Sequence, residues 1–170
     1  MRPRADGQGP RRGGGAGPWD VAGGAGKGMT DVLAGAVDIA KVSREIKKEE
    51  IKKGAFFVAV CKDAVVATTN DKNPLLSAIL KKGVKKGQLK DIFITGKIKD
   101  WGYLYGKKAV AAINVYTRSD ACGAGETGAK YLGGNQEDLK GTGGYGDPGV
   151  TEAVKRDARS IGYNNINYAY

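Results

Sequence analysis

The chain has 170 residues, 41% of them hydrophobic, which suits one good-sized domain or two small lobes with a real core. Its formal net charge of +10 points to an anionic partner: nucleic acid, an anionic membrane surface or a small anion. The chain has no histidine, which excludes histidine triads, histidine general bases and nearly all histidine-containing zinc sites.

Residues 1–22 are rich in Gly, Pro and Arg, with almost nothing to bury, and are expected to be a disordered tail. A nucleic-acid arm on Arg2, Arg4, Arg11 and Arg12 is the alternative, but Trp19 is the only interleaved aromatic residue. The basic N-terminus lacks the apolar stretch of a signal peptide, and no apolar run is long enough to span a membrane.

From Gly23 a glycine-rich loop leads into a short helical pattern, with Met29, Val32, Leu33 and Ala36 on one face. Ser43 is expected to cap a charged helix carrying Ile46. Residues 55–60 and 64–69 read as two nearly continuous strands, β-branched and apolar. Asn73-Pro74 opens a helix that Gly83 ends, and residues 86–96 read as another short helix. A buried strand is expected over 109–118, a helix over 123–132, a turn and helix over 146–158, and a strand over 160–170. Strands alternating with helices give an α/β fold. Cys61 and Cys122 lie far apart and form no CxxC motif, so both are expected as free thiols.

The chemistry concentrates between Tyr116 and Thr127. A strand ends at Thr117, the charged pair Arg118 and Asp120 follows, and the small residues Ala121 to Ala124 lead into a helix. Open α/β sheets place ligands at that point. The first N–H groups of the helix have no internal partner, and its dipole favours negative charge there. Arg118 adds a planar fork that matches an oxyanion, and Asp120 can orient it or accept from a protonated ligand oxygen. Residues 23–30 form a second glycine-rich segment ahead of a helix. It fails the P-loop pattern, because Lys27 is followed by Gly28 and not by Ser or Thr. Two such segments, one with an arginine, suggest an anion held between two helix N-termini.

The collinear segments GGAGKGMTDVLAGAVDIA, SREIKKEE, KDAVVATTNDKNP, LKDIFITGKIKDWG, INVYTRSDACGAGET and GDPGVTEAVKRDARSIGYNNINYAY are similar to the phosphate-binding protein of ABC phosphate importers. The resemblance runs from about Gly23 to Tyr170. It implies a type 2 periplasmic-binding-protein fold, two α/β lobes with the ligand in the cleft between them. Residues 23–64 would be part of the first lobe and residues 65–170 the largely complete second, with the crossing strands near 55–70.

Arg118 matches the family's phosphate-gripping arginine and Asp120 the carboxylate beside it. Cys122, Gly123 and Ala124 match a Ser-Gly-Thr turn, which keeps the backbone donors but loses both hydroxyls. Ala25 stands where the family often has a phosphate-binding serine, beside Gly26 in the same segment. Ser43 falls where some members place an aspartate. The family's N-terminal strand and its final return to the first lobe have no counterpart here, so weak phosphate binding, or none, is expected of the chain alone.

The resemblance implies a binding protein and no enzyme, with inorganic phosphate as ligand and an ABC permease as partner, outside the cytoplasm, with no cofactor and no metal. The rival reading is a basic nucleic-acid-binding protein. Its lysines are scattered over several helices and form no single stripe, so no nucleic acid is expected. An enzyme acting on a phosphorylated substrate would need a nucleophile–base pair that the sequence does not show.

Overall fold

The computed structural model describes residues 24–169. The expected disordered tail, residues 1–22, lies outside that range. Six α-helices occur among the described residues: α1 (Gly24–Leu33), α2 (Lys48–Lys52), α3 (Leu76–Lys82), α4 (Lys86–Phe93), α5 (Gly123–Leu132) and α6 (Gly146–Arg156). Four strands, β1 (Val65–Thr69), β2 (Asn114–Arg118), β3 (Thr142–Gly144) and β4 (Ser160–Asn165), form one sheet in the order β1-β4-β2-β3. The expected α/β class is what the chain adopts.

β4 is one of the two inner strands of the sheet, the other being β2. It runs antiparallel to β1, with Val65 opposite Asn165 and Thr69 opposite Ile161, and parallel to β2, with Val115 opposite Ile161. β2 pairs in parallel with β3, placing Arg118 opposite Gly144. Side chains alternate across a strand, so β4 serves both faces. Ile161 and Tyr163 enter a core with Ile92, Phe93, Trp101 and Leu104. The Phe93 and Tyr163 rings meet edge to face at 5.9 Å. Gly162 faces the other way, onto Val150 and Val154 of α6. Several polar groups buried with the sheet are matched: the Trp101 indole N–H donates to the Arg159 carbonyl at 2.9 Å, and the Asn70 amide donates to the carbonyls of Val154 and Lys155, whereas the Thr68 hydroxyl and the Asn165 side-chain oxygen are buried with no partner among the described residues.

Several expected elements differ. The glycine-rich stretch read as a loop is helix from Gly24 onward, anchored by buried Ala25 and Met29, and Ala36 falls beyond its end. Ser43 caps nothing. The second helix starts at Lys48, where the Glu50 carboxylate accepts from the Lys47 N–H at 2.7 Å, and Ile46 precedes it. Residues 55–60 form no strand, and Phe56 is 90% exposed. A strand needs a neighbour for its backbone groups, and among the described residues this stretch has none.

The strand expected over 109–118 is regular only from Asn114, after a single bridge between Ala112 and Asp100. The helix expected over 86–96 ends at Phe93, and that over 146–158 ends at Arg156. The final strand stops at Asn165 and passes into a short 3-10 helix, Ile166–Tyr168. Three further elements were not anticipated: β3, a 3-10 helix over Trp101–Tyr105 capped by Asp100, and a 3-10 turn over Gln136–Asp138. The helices α3 and α5 and the glycine stop at Gly83 match their expected places. Both cysteines are free, Cys61 exposed and Cys122 buried.

Candidate functional site

β2 ends on Arg118, whose side chain is only 7% exposed. Asp120 grips the guanidinium side-on, with Nε donating to Oδ1 at 2.8 Å and Nη2 to Oδ2 at 2.6 Å. Asp147, in the first turn of α6, accepts from Nη1 at 2.8 Å. The carboxylates are themselves held: Asp120 accepts from the Gly146 N–H at 3.0 Å, and Asp147 from the Asn165 N–H at 3.0 Å. A guanidinium has five N–H groups. Three are used here, and the others have no protein partner among the described residues.

Burial opposes the Arg118 charge, but the Asp120 hydrogen bond and nearby negative groups override it, so its pKa rises and it stays protonated. The same hydrogen bond, against the pull of burial, holds the Asp120 carboxyl below its ordinary range. The Tyr163 hydroxyl accepts from the Arg118 backbone N–H at 3.2 Å, and burial pushes the phenol up to about 12.

After Asp120 the chain turns through Ala121 into α5. Cys122 caps that helix, its sulfur accepting from the Gly125 N–H at 3.1 Å. Burial pushes the Cys122 thiol up, so it remains a neutral cap. Of the three backbone donors expected here, the Cys122 N–H is taken by the Gln136 side-chain oxygen at 3.1 Å. The N–H groups of Gly123 and Ala124 keep no protein partner among the described residues.

The other expected site residues pack onto this same turn. α1 starts against it: Gly24 has φ +64°, and a Cβ there would sit 2.3 Å from the Ala121 carbonyl oxygen. Ala25 is buried, and Gly26 faces the Ala121 methyl. Ser43 lies over Gly123, where a Cβ would come 2.1 Å from the Ser43 hydroxyl oxygen. Arg118, Asp120, Cys122, Gly123 and Ala124 are thus contiguous, with Ser43, Ala25 and Gly26 against the turn that carries them.

The sequence reading missed three residues. Asp147 was read only as part of a turn, since an acidic residue at a helix start is expected from the helix dipole alone and names no partner. Gln136 gives no local signal. Arg44, only 5% exposed, is held by both oxygens of Glu50 at 2.9 and 2.7 Å and by Glu126 at 3.0 Å. Beside it Lys47 pairs with Glu126 at 3.3 Å and Lys130 with Glu45. A cavity of about 400 Å³ opens there, lined in part by Gly26, Arg44, Cys122, Lys130 and Gln136. A larger space of about 540 Å³, lined in part by Lys99, Tyr116 and Lys140, involves none of the expected site residues. Among the described residues no group of three or more acidic or cysteine side chains is placed to hold a metal ion, and no helix is long and apolar enough to cross a membrane.

Known proteins share this fold. The phosphate-binding protein PstS of Staphylococcus aureus strain USA300 is 28% identical over 153 residues, which is 85% of this chain and 44% of that protein. A protein of Clostridium perfringens assigned to phosphate ABC transport as a substrate-binding protein, solved with phosphate bound, superposes with a TM-score of 0.73 at 28% identity, covering 86% of this chain and 58% of that one. An ABC-type phosphate transport receptor from Vibrio cholerae shares the fold at 19% identity and a TM-score of 0.58, over 86% of this chain and 59% of that one. The chain spans about half the length of the relatives it matches. The family model described as a PBP superfamily domain matches residues 19–170, and the chain therefore belongs to the PBP superfamily.

Proposed function

We propose that this chain is the solute-binding component of an ABC phosphate import system and binds inorganic phosphate at the N-terminus of α5. One observation carries the reading: a buried arginine, clamped by Asp120 and Asp147, at the start of a helix whose Gly123 and Ala124 N–H groups have no partner among the described residues. Arg118 supplies charge and two remaining N–H donors. Gly123 and Ala124 supply backbone donors backed by the helix dipole. Asp120 supplies an acceptor for a protonated phosphate oxygen. Ser43, Ala25 and Gly26 form the facing wall, in a partial first lobe of residues 23–64 that borders a second lobe from Val65 onward. The names of the S. aureus and C. perfringens relatives support phosphate as the ligand. The role is binding and delivery to a permease, outside the cytoplasm, with no covalent step.

Calorimetry tests this reading. Phosphate should bind the chain, with Arg118→Ala abolishing the heat. Binding should weaken little between low and moderate salt, since a buried site is poorly screened. A short DNA duplex that bound with a steep loss in salt would favour a nucleic-acid role instead.

A further inference from the structure

We propose that Gln136 is a positioning residue for the anion site, locking the turn that carries Asp120 to the start of α5. The role rests on the phosphate-binding reading above. Gln136 belongs to the 3-10 turn that follows α5, yet its amide reaches back over the helix start. Its oxygen accepts from the Cys122 N–H at 3.1 Å, and its nitrogen donates to the Asp120 carbonyl at 2.7 Å. One planar side chain thus joins the residues on either side of Ala121, as a backbone strand would. The clasp has two effects on the site. It fixes the peptide whose side chain orients Arg118, and it closes one of the donors at the helix start, leaving Gly123 and Ala124 to the ligand.

The fit depends on Gly125. A Cβ there would lie 2.7 Å from Gln136 Cδ, so this glycine gives the amide room to lie across the helix. The crowding falls on the far end of a flexible side chain, so an alanine at 125 would push Gln136 aside and leave the helix intact.

The test uses the full chain labelled with ¹⁵N. Exchange of the Cys122 amide and the Arg118 Nε–H is followed by NMR, and phosphate affinity by calorimetry. In Gln136→Ala both protons should exchange faster, and phosphate should bind about tenfold more weakly, the scale of one lost hydrogen bond. Gly125→Ala should reproduce this without touching the bonded atoms, and the double variant should be no weaker than either single one. In Gln136→Glu an ionised carboxylate still accepts from Cys122 but faces the Asp120 carbonyl oxygen without a proton. Its affinity relative to wild type should therefore recover on acidification towards about pH 4, as that carboxyl protonates. Unchanged exchange in both Gln136→Ala and Gly125→Ala would overturn the clasp. Faster exchange with unchanged phosphate affinity would overturn its role at the site and leave the phosphate reading standing. Should wild type bind no phosphate, that reading fails, and the Arg118 Nε–H decides alone: faster exchange in both variants supports the positioning of Arg118 and Asp120, and no change overturns it.

Discussion

Arg118 Nη1 and Asp147 Oδ2 lie 2.8 Å apart, joining the end of β2 to the first turn of α6 across 29 residues. With Asp120 on the other edge of the guanidinium, one positive group stands between two negative ones, so the cluster's formal charge is negative before any ligand arrives. A site meant for an anion is thereby set against excess negative charge, which bears on both affinity and selectivity.

Arg118→Ala should remove phosphate binding and also weaken the fold. Charge-assisted hydrogen bonds contribute roughly 1.5–3 kcal/mol each, and stripping one partner from a buried pair costs about 3–5 kcal/mol because the other charge is left unpaired. Urea unfolding beside calorimetry separates the two losses. A stable variant with unchanged affinity would remove Arg118 from the site.

Selectivity should respond to the two carboxylates. Phosphate near neutral pH carries a proton that Asp120 can accept, and sulfate does not, so sulfate meets the same carboxylate with no proton between them. Asp120→Asn should let sulfate compete better. Asp147→Asn removes a negative charge from the same cluster and should also admit sulfate. Competition by sulfate against labelled phosphate checks both, and equal competition in all three proteins would leave the aspartates as supports for Arg118 only.

Glu50 should set part of the acid limb of stability. The Arg44 hydrogen bond, against the pull of burial, holds its carboxyl at about 2, below the ordinary 4.5. A depressed carboxyl contributes stability that is fully present above its unfolded pKa and is lost as pH falls through the folded one. The loss on acidification from about 4.5 to about 2 should therefore be smaller in Glu50→Gln. Unfolding midpoints at pH 7, 4 and 3 measure it, and parallel curves for both proteins would contradict the assignment.

The two thiols should separate kinetically. Cys61 is exposed, while Cys122 is 6% exposed with a pKa raised by burial. A disulfide reagent should titrate one thiol quickly in the native chain and the second only in denaturant. Rapid reaction of both would show that the start of α5 opens readily.

Residues 55–60 leave Phe56 90% and Val60 84% exposed. Six apolar residues, four of them β-prone and without a strand neighbour among the described residues, make a self-association hazard. Phe56→Lys should raise solubility and change stability by no more than about 0.5 kcal/mol, as for other exposed positions. Light scattering against concentration is the measurement.

Local signals were legible where local physics decides. The small-residue turn from Ala121 to Ala124 marked the start of α5, and the helix expected over 123–132 is the one observed. Arg118 and Asp120 were readable because they are neighbours at a strand end. Asp147 and Gln136 were not, since their bonds span 29 and 14–16 residues. α1 was misread because glycine disfavours helix by about 1 kcal/mol per residue, and only packing of Ala25 and Met29 overrides that. β3 was missed because Thr142-Gly143-Gly144 has little strand propensity and forms by pairing with β2.

Val65 sits opposite Asn165 in the sheet, and the Ile166 N–H donates to the Ala64 carbonyl at 2.9 Å. The hundred residues between them therefore form a body whose two ends emerge side by side. Anything covalently attached before Ala64 or after Ile166 joins through a two-stranded neck at one corner. Residues 24–63 do not hang freely from that neck: Ser43 packs on Gly123 and Arg44 pairs with Glu126 at 3.0 Å, so any rotation about it has to break those contacts.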